Sequence, residues 1–242
     1  MNIELEIDAP QSAAANMQKD AVLFAAQEAR AVKNIHLRFY SWDRPAITFG
    51  YAQRPEKLLD LPQAGRLGVE TASRITGGGL VLHQPNELTY SLVAPLAALP
   101  DGILPSCNFI SEIFIKALRK IGAAAALAAR AVGDCKPVRE QSRTAVFTGE
   151  YDRAVCFARP VKYEVVCGGK KLLGSAQKRG RHSLLQQGAL ALDPPLPVFA
   201  ELIDMSKLNQ TNLKECAGRA YKYTELAEII GQEFYNAPIF TP

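Results

Sequence analysis

Three consecutive glycines, Gly77-Gly78-Gly79, lie between apolar segments that favour β-structure. Because glycine has no Cβ atom, this backbone can turn sharply and let a ligand lie against its N–H groups. Such N–H groups attract the anionic oxygens of a phosphate, a carboxylate or a developing oxyanion. The apolar residues from Leu80 to Leu92 are typical of strands, so we expect the glycines to join two strands of one sheet.

Two residues that bear on function flank this triplet. Arg74 precedes it and His83 follows it, so both are expected near the same turn. A glycine-rich hairpin without chemistry is the alternative interpretation of the triplet alone. The arginine and the histidine favour a binding site, with His83 as a candidate general base. A structural, hydrogen-bonding histidine is the other interpretation of His83.

The composition is that of an ordinary globular protein. The chain has 242 residues, 48% of them hydrophobic and 21% charged, and we expect a single domain over residues 1–242. A net charge of +4 is too small to indicate nucleic-acid binding but suits an acidic protein partner. No apolar run reaches the ~18 residues of a membrane span, and the first residues lack the features of a signal peptide, so we expect no membrane association and a cytoplasmic location.

The cysteines and histidines do not form a metal-binding pattern. The five cysteines are scattered and no CxxC pair occurs, so neither a zinc site nor a disulfide framework is predicted. Three histidines leave little room for a metal centre. We therefore expect reduced thiols and no bound metal.

Alternation and helical periodicity predict an α+β fold, with a central mixed, largely antiparallel β-sheet flanked by helices. The predicted strands are 3–7, 35–42, 46–51, 163–167, 171–177, 184–192 and one within 123–132, together with those around the glycines. The predicted helices are 13–31, 107–121, 198–208 and 223–235, with a short helix or turn at 56–66. Gly168-Gly169 predicts a tight hairpin turn, and the charged segment Gly133 to Gly149 predicts a mobile loop.

Cys156 and Lys171 are the remaining candidates for chemistry. Cys156 follows the charged pair Asp152 and Arg153, and a thiol in an electropositive setting is activated as a thiolate. A buried structural cysteine is the alternative, and it is our interpretation of the other four cysteines. Lys171 precedes a run of small residues, through which its ammonium group could enter a site with closely spaced walls. A solvated surface lysine is the alternative, as for its basic neighbours Lys170, Lys178, Arg179 and Arg181.

Several ordered motifs together resemble the lipoate–protein ligase and octanoyltransferase family, which includes the biotin protein ligases. The matching stretches are 10–17, 37–42 with Pro45 and Gly50-Tyr51, 74–79 with His83, and Lys171 with Gly174-Ser175-Ala176-Gln177 and Arg179. They cover nearly the whole chain. The arginine-rich glycine loop of the biotin branch is absent.

The resemblance implies the catalytic-domain fold of that family and a task, the attachment of an octanoyl or lipoyl chain to one lysine of a carrier domain. Such carriers include the glycine cleavage H protein and the E2 subunits of 2-oxoacid dehydrogenases. Ligases of the family activate free lipoate with ATP and Mg²⁺. Transferases take octanoate from acyl carrier protein through a cysteine thioester and need no cofactor.

Two features favour the transferase branch. Cys156-Phe157, followed by Pro160 and Tyr163-Glu164, resembles its cysteine segment, and the chain leaves no room for the accessory domain of many bacterial ligases. The resemblance implies catalytic roles for Cys156 and Lys171. It implies substrate binding by Arg74, Gly77, Gly78, Gly79, His83, Gly174, Ser175 and Ala176. An ATP-dependent ligase and a non-catalytic acyl-binding relative remain the alternatives.

Two further expectations concern the walls of the site. Leu80 and Leu82 are expected to line part of an acyl tunnel. Gln187 stands where relatives often carry histidine, and its amide can form hydrogen bonds but cannot titrate.

Overall fold

The computed structural model describes residues 2–29, 34–128 and 164–238. The strands are β1 (Ile3–Ile7), β2 (Ile35–Tyr40), β3 (Ala46–Phe49), β4 (Glu70–Ser73), β5 (Val81–His83), β6 (Leu88–Pro95), β7 (Ala125–Leu127), β8 (Val165–Cys167), β9 (Lys170–Arg179) and β10 (Ser183–Leu190). The helices are α1 (Ala13–Glu28), α2 (Leu61–Arg66), α3 (Ile103–Lys120), α4 (Leu213–Ala217) and α5 (Tyr223–Tyr235). The loop predicted at 133–149 and Cys156 lie outside the described residues.

Seven strands form one sheet, the large sheet, in the order β1-β2-β6-β10-β9-β8-β7. Among the strands that the structure describes in this sheet, only the pair β1–β2 is parallel, and the other neighbours are antiparallel. The predicted mixed, largely antiparallel sheet is therefore confirmed. Gly168 and Gly169 have φ of 57° and 77°, which confirms the tight turn between β8 and β9.

Helices α3 and α5 cover one face of the large sheet. The apolar positions of β2 and β6 alternate, so Leu37, Phe39 and Tyr90 point to the same side as one another and pack against these helices. The ring of Phe114 on α3 lies 4.6 Å from that of Tyr90 and 5.8 Å from that of Phe234 on α5. Burying an apolar side chain of this size stabilises the folded state by about 1.5–3 kcal/mol.

A second, three-stranded sheet, the small sheet, has the order β4-β3-β5. The sequence did not predict a separate sheet. The glycine triplet joins β4 to β5, so the prediction that it joins two strands of one sheet is confirmed. The small sheet has a core of its own, in which Ile47, Phe49 and Leu80 pack with Phe199.

Helix α1 lies against the face of the large sheet opposite to α3, and it also contacts the small sheet. Ser12 caps the helix, with its side chain accepting from the Ala15 N–H. The helix buries polar as well as apolar residues, among them Asn16 and Asp20. The sheet must therefore supply partners for them.

The prediction of one helix over 198–208 is wrong. Two short 3-10 helices, Pro197–Glu201 and Met205–Lys207, occupy this stretch. Asp204 is the reason for the break, because its carboxylate accepts from the Ser206 N–H and begins a new turn. The helix predicted at 107–121 begins earlier, at Ile103, after Gly102 with φ of 93°. Within the described ranges, no helix is both long and apolar enough to span a bilayer.

Candidate active site

A cavity of about 370 Å³, counted with its open mouth, lies between the large and small sheets beside α1. The floor of the cavity is formed by β9 and β10, whose residues there are glycines or have small side chains. The lining residues are Met17, Tyr40, Trp42, Arg74, Val81, His83, Thr89, Gly174, Ser175, Ala176, Gln187, Gly188 and Ala189. The structure thus brings together five of the predicted site residues, namely Arg74, His83, Gly174, Ser175 and Ala176.

Residues 74–79, the glycine loop, pack beside the cavity, and the glycines themselves do not line it. The Arg74 guanidinium holds the loop, because it donates to the carbonyl oxygens of Gly77 at 3.2 Å and Gly79 at 2.7 Å. Gly78 has φ of 91°, a conformation that favours glycine. A Cβ atom built on Gly50 would collide with the Gly78 oxygen, so the loop packs backbone against backbone.

His83 is buried and held on three sides. Its ring stacks on Trp42 with centroids 3.9 Å apart. Its Nε2 lies 2.7 Å from the Thr48 hydroxyl and its Nδ1 lies 2.7 Å from a Glu87 carboxylate oxygen. Trp42 Nε1 also donates to Glu87, at 3.2 Å. The histidine is therefore fixed in orientation at the cavity wall.

Arg74, Thr48, His83 and Glu87 form a continuous chain of polar contacts. Arg74 can only donate, and it donates to the Thr48 oxygen at 2.6 Å. The Thr48 oxygen also lies within hydrogen-bond distance of His83 Nε2, and the Glu87 carboxylate of His83 Nδ1. Both ring nitrogens are therefore engaged by protein groups. A general-base role for His83 requires one of these contacts to be released.

Asp20 forms the centre of a buried polar network that the sequence analysis missed. Its two carboxylate oxygens accept from Arg38 at 2.7 Å, Ser91 at 2.8 Å, Tyr40 at 2.9 Å and Gln187 at 2.6 Å. The available sequence signals were a lone acidic residue on the apolar side of an alanine-rich helix and an arginine within an apolar strand. This network adjoins the cavity through Tyr40 and Gln187.

The charges of the network compensate one another. Burial disfavours the charge of Arg38, but the negative charge of Asp20, together with the contribution of Tyr40 and the hydrogen bonds to Asp8 and Asp20, outweighs burial and raises the pKa of Arg38. Burial likewise opposes ionisation of Asp8, yet hydrogen bonds from Lys19 and Arg38 lower its pKa. Burial, and then the nearby Asp20 charge, raise the pKa of Tyr40. The network therefore holds fixed charges and a neutral phenol beside the cavity.

Lys171 is the second residue of β9, after the exposed Lys170, and is itself only 1% exposed. Its Nζ lies 2.5 Å from Glu164 Oε1, and the Glu164 side chain is also buried. The Lys171 main chain is held too, since its N–H donates to the Asn209 carbonyl and its carbonyl accepts from the Thr211 N–H. Lys171 precedes the small residues of the cavity floor on the same strand but does not line the cavity.

The expectation that Leu80 and Leu82 line this cavity is not met. Side chains alternate across a strand, and Val81 and His83 take the positions that face the cavity. Leu80 and Leu82 pack on the other side, in the core of the small sheet.

Comparison with known proteins gives consistent matches to one family. The family model of the lipoyl protein ligase A/B catalytic domain matches residues 12–237. The octanoyltransferase LipM of Kyrpidia tusciae is 34% identical over 240 residues, covering 93% of this chain and 83% of that protein. The LipM of Moorella thermoacetica is 39% identical over 160 residues, covering 64% of this chain and 53% of that protein, so the match spans about half of its length.

The fold is also shared with solved structures. The bipartite lipoate protein ligase of Thermoplasma acidophilum, described together with its E2 lipoyl domain, superposes with a TM-score of 0.67. The superposition covers 98% of this chain and 84% of that chain at 17% sequence identity. At this identity the likeness concerns the fold alone.

Proposed function

The chain belongs to the lipoyl protein ligase A/B catalytic domain family, and from this premise we propose that it transfers an octanoyl group to a lysine of a lipoyl-carrier domain. The observation that carries the proposal is the extended similarity to octanoyltransferases, 34% over 240 residues for one of them. The cavity supports the proposal because it is largely apolar and floored by the small residues that begin three positions after Lys171 on β9.

The lining of the cavity suits a saturated acyl chain. Met17, Val81 and Ala189 offer apolar contacts, and each buried methylene contributes ~0.8 kcal/mol. The six methylenes of an octanoyl chain then contribute roughly 5 kcal/mol. Arg74 and His83 lie in the same cavity and supply the polar groups that position the acyl carbonyl.

We infer a two-step transfer through Cys156. Its thiolate attacks the thioester carbonyl of an octanoyl-acyl carrier protein, forming the octanoyl–Cys156 thioester and releasing the carrier thiolate. The amine of the acceptor lysine then attacks this thioester, the amide forms, the amine loses a proton and the Cys156 thiolate leaves. A thioester is already activated, so the proposed reaction uses no nucleotide, metal or other cofactor.

Lys171 has the electrostatic role in this proposal. An ammonium near the reacting carbonyl stabilises both the thiolate and the developing oxyanion. Its partner Glu164 is the first described residue after Cys156 in the chain, and the ion pair holds this residue to β9. The glycine loop completes the proposed substrate site through Gly77, Gly78 and Gly79.

The proposed partners follow from the same chemistry. The donor is acyl carrier protein, an acidic protein that suits the net charge of +4. The acceptors are lipoyl domains, such as those of the glycine cleavage H protein or of 2-oxoacid dehydrogenase E2 subunits. The proposal includes a cytoplasmic location, where the thiol of Cys156 stays reduced.

Mass spectrometry of the intact protein tests the proposal. Incubation with octanoyl-acyl carrier protein alone should add one octanoyl mass that hydroxylamine removes. The adduct should be absent in Cys156→Ser and present in the matched control Cys107→Ser, because burial raises the pKa of the Cys107 thiol to about 11 and leaves it unreactive. No adduct, together with ATP-dependent lipoylation by Cys156→Ala, would establish a ligase instead. Neither activity would leave an acyl-binding protein.

A further inference from the structure

The Gln187 side chain connects two layers of the structure at the cavity. Its amide nitrogen donates to Asp20 Oδ2 over 2.6 Å, and its amide oxygen accepts from the Thr76 hydroxyl over 2.7 Å. Gln187 belongs to β10 of the large sheet, Asp20 to α1 and Thr76 to the glycine loop. Both Asp20 and Thr76 are fully buried. The amide therefore fastens the loop to the charged network under the sheet.

We propose that Gln187 is a positioning residue, whose amide holds the glycine loop against the cavity through Thr76. The inference rests on the proposed function, in which this loop forms part of the acyl site. Arg74 holds the carbonyls of Gly77 and Gly79, and Gln187 holds the preceding residue. The loop is thus secured at two points, by its own Arg74 and by Gln187 of β10.

An amide fits this position for a chemical reason. Asp20 needs a donor and the Thr76 hydroxyl needs an acceptor, and a primary amide offers both from one planar group without ionising. The titratable and charged groups around it are Asp20 on α1, Arg38 and Tyr40 on β2, and Arg74 and His83 at the cavity. The amide therefore adds no titratable group of its own to the loop attachment.

The substitution Gln187→Glu tests this role of the amide. It places a second carboxyl group against Asp20, and two carboxylates at this distance do not both ionise readily, so one pKa of the pair rises. While the pair shares a proton, the introduced carboxyl group still forms a hydrogen bond with Asp20 and the loop stays attached. When the pH exceeds the raised pKa, both groups ionise and repel each other, and the attachment is lost.

Amide hydrogen exchange measures directly whether the glycine loop stays attached. The Tyr51 amide donates to the Thr76 carbonyl and the Arg74 amide to the Phe49 carbonyl, so both report on the loop. Compared with the wild-type protein at each pH between about 6 and 9, Gln187→Glu should exchange these amides normally at the acidic end and on the order of tenfold faster at the alkaline end. Octanoyl transfer should lose kcat/KM over the same interval.

Two further variants complete the test. Gln187→Met fills the same space without an amide and should speed the exchange of the two loop amides at every pH. Thr76→Val removes the other end of the link without adding charge, and it decides the question if Gln187→Glu does not fold. The matched control is Gln177→Glu on the opposite face of the sheet, where Arg179 lies 3.3 Å from the amide oxygen and accommodates a carboxylate. It should leave the loop amides and the pH profile unchanged.

The outcomes separate this inference from the proposed function. Faster loop exchange with the predicted pH dependence supports the role of Gln187 even if the wild-type protein shows no octanoyl transfer, in which case the function alone is wrong. Wild-type exchange at Tyr51 and Arg74 in both Gln187→Met and Thr76→Val overturns the inference, whatever the activity.

Discussion

The guanidinium of Arg38 donates to Asp20 Oδ1 over 2.7 Å, and the two side chains are 1% and 0% exposed. Desolvating a buried pair of this kind costs free energy, but removing one partner leaves the other charge buried and uncompensated. We therefore expect Arg38→Met to lower the free energy of unfolding by about 3–5 kcal/mol, measured by urea denaturation.

An exposed pair provides the control for Arg38. Arg219 lies 2.9 Å from Glu225, with side chains 58% and 43% exposed. Arg219→Met should cost less than about 1 kcal/mol, because water already solvates both charges. Similar losses in the two variants would mean that burial does not govern the Arg38 pair.

Substitution of Lys171 tests its electrostatic role. Lys171→Ala should reduce the transition-state stabilisation of octanoyl transfer by ~2–4 kcal/mol, as does loss of an oxyanion donor. Lys170 is exposed at the hairpin turn, so Lys170→Ala should change kcat/KM little. Equal losses in the two variants would indicate a general effect of surface charge.

A double variant separates catalysis from stability at this ion pair. Lys171→Ala also leaves the buried Glu164 carboxylate without this cation and should destabilise the protein. Combining Lys171→Met with Glu164→Gln removes both charges, so the melting temperature should recover while octanoyl transfer stays impaired. Recovery of both quantities would assign Lys171 a structural role only.

The close approach of Gly50 to Gly78 predicts strict limits on the glycine loop. Gly50→Ala places a methyl group against the Gly78 carbonyl, and Gly78→Val forces a branched residue to φ near 91°. Both should slow formation of the octanoyl adduct. Gly65→Ala is the control, because a Cβ atom there meets nothing within 4 Å and alanine favours the helix. A fully active, folded Gly78→Val protein would falsify a role for the loop.

Glu28 predicts a specific acid dependence of stability. Despite some burial, which opposes ionisation, hydrogen bonds from the Ser183 side chain and from three backbone N–H groups of the β9–β10 turn lower its pKa from 4.5 to about 2. The carboxylate therefore stabilises the folded state above pH 4.5, and this contribution is lost as the pH falls through about 2. Glu28→Gln should be less stable than wild type at neutral pH.

Thermal unfolding at a series of pH values checks this expectation. The difference between Glu28→Gln and wild type should shrink as the pH falls from 4.5 towards 2. Glu225→Gln, at an exposed carboxylate, is the comparison protein. A difference that stays constant over this interval would exclude Glu28 as the titrating group.

Locally determined features of the fold could be predicted from the sequence. Helix α5 and strand β1 have the predicted ends, because periodicity and turn residues act over a few positions. The small sheet could not be predicted, since β3 selects β4 and β5 as partners through long-range packing that its own residues do not encode.

In the candidate site, too, residues of local motifs could be predicted, whereas residues placed by long-range contacts could not. Arg74, His83 and the run Gly174-Ser175-Ala176 belong to motifs and were found at the cavity. Asp20 was missed because its partners come from β2, β6 and β10, and pairing of distant side chains leaves no local pattern. Leu80 and Leu82 were expected at the cavity, but Val81 and His83 face it, because a one-residue shift in strand phase reverses the facing side.

The strand order of the large sheet has a consequence for synthesis of the chain. Strand β6 ends at Pro95, and the strand that covers its second edge, β10, begins only at Ser183. At about 5–20 residues per second, that edge leaves the ribosome roughly 5–20 s before its partner. During this interval the edge of β6 is open to pairing with other chains. The floor of the cavity is consequently the last wall to be completed, and a nascent chain arrested before β10 carries the glycine loop but no site.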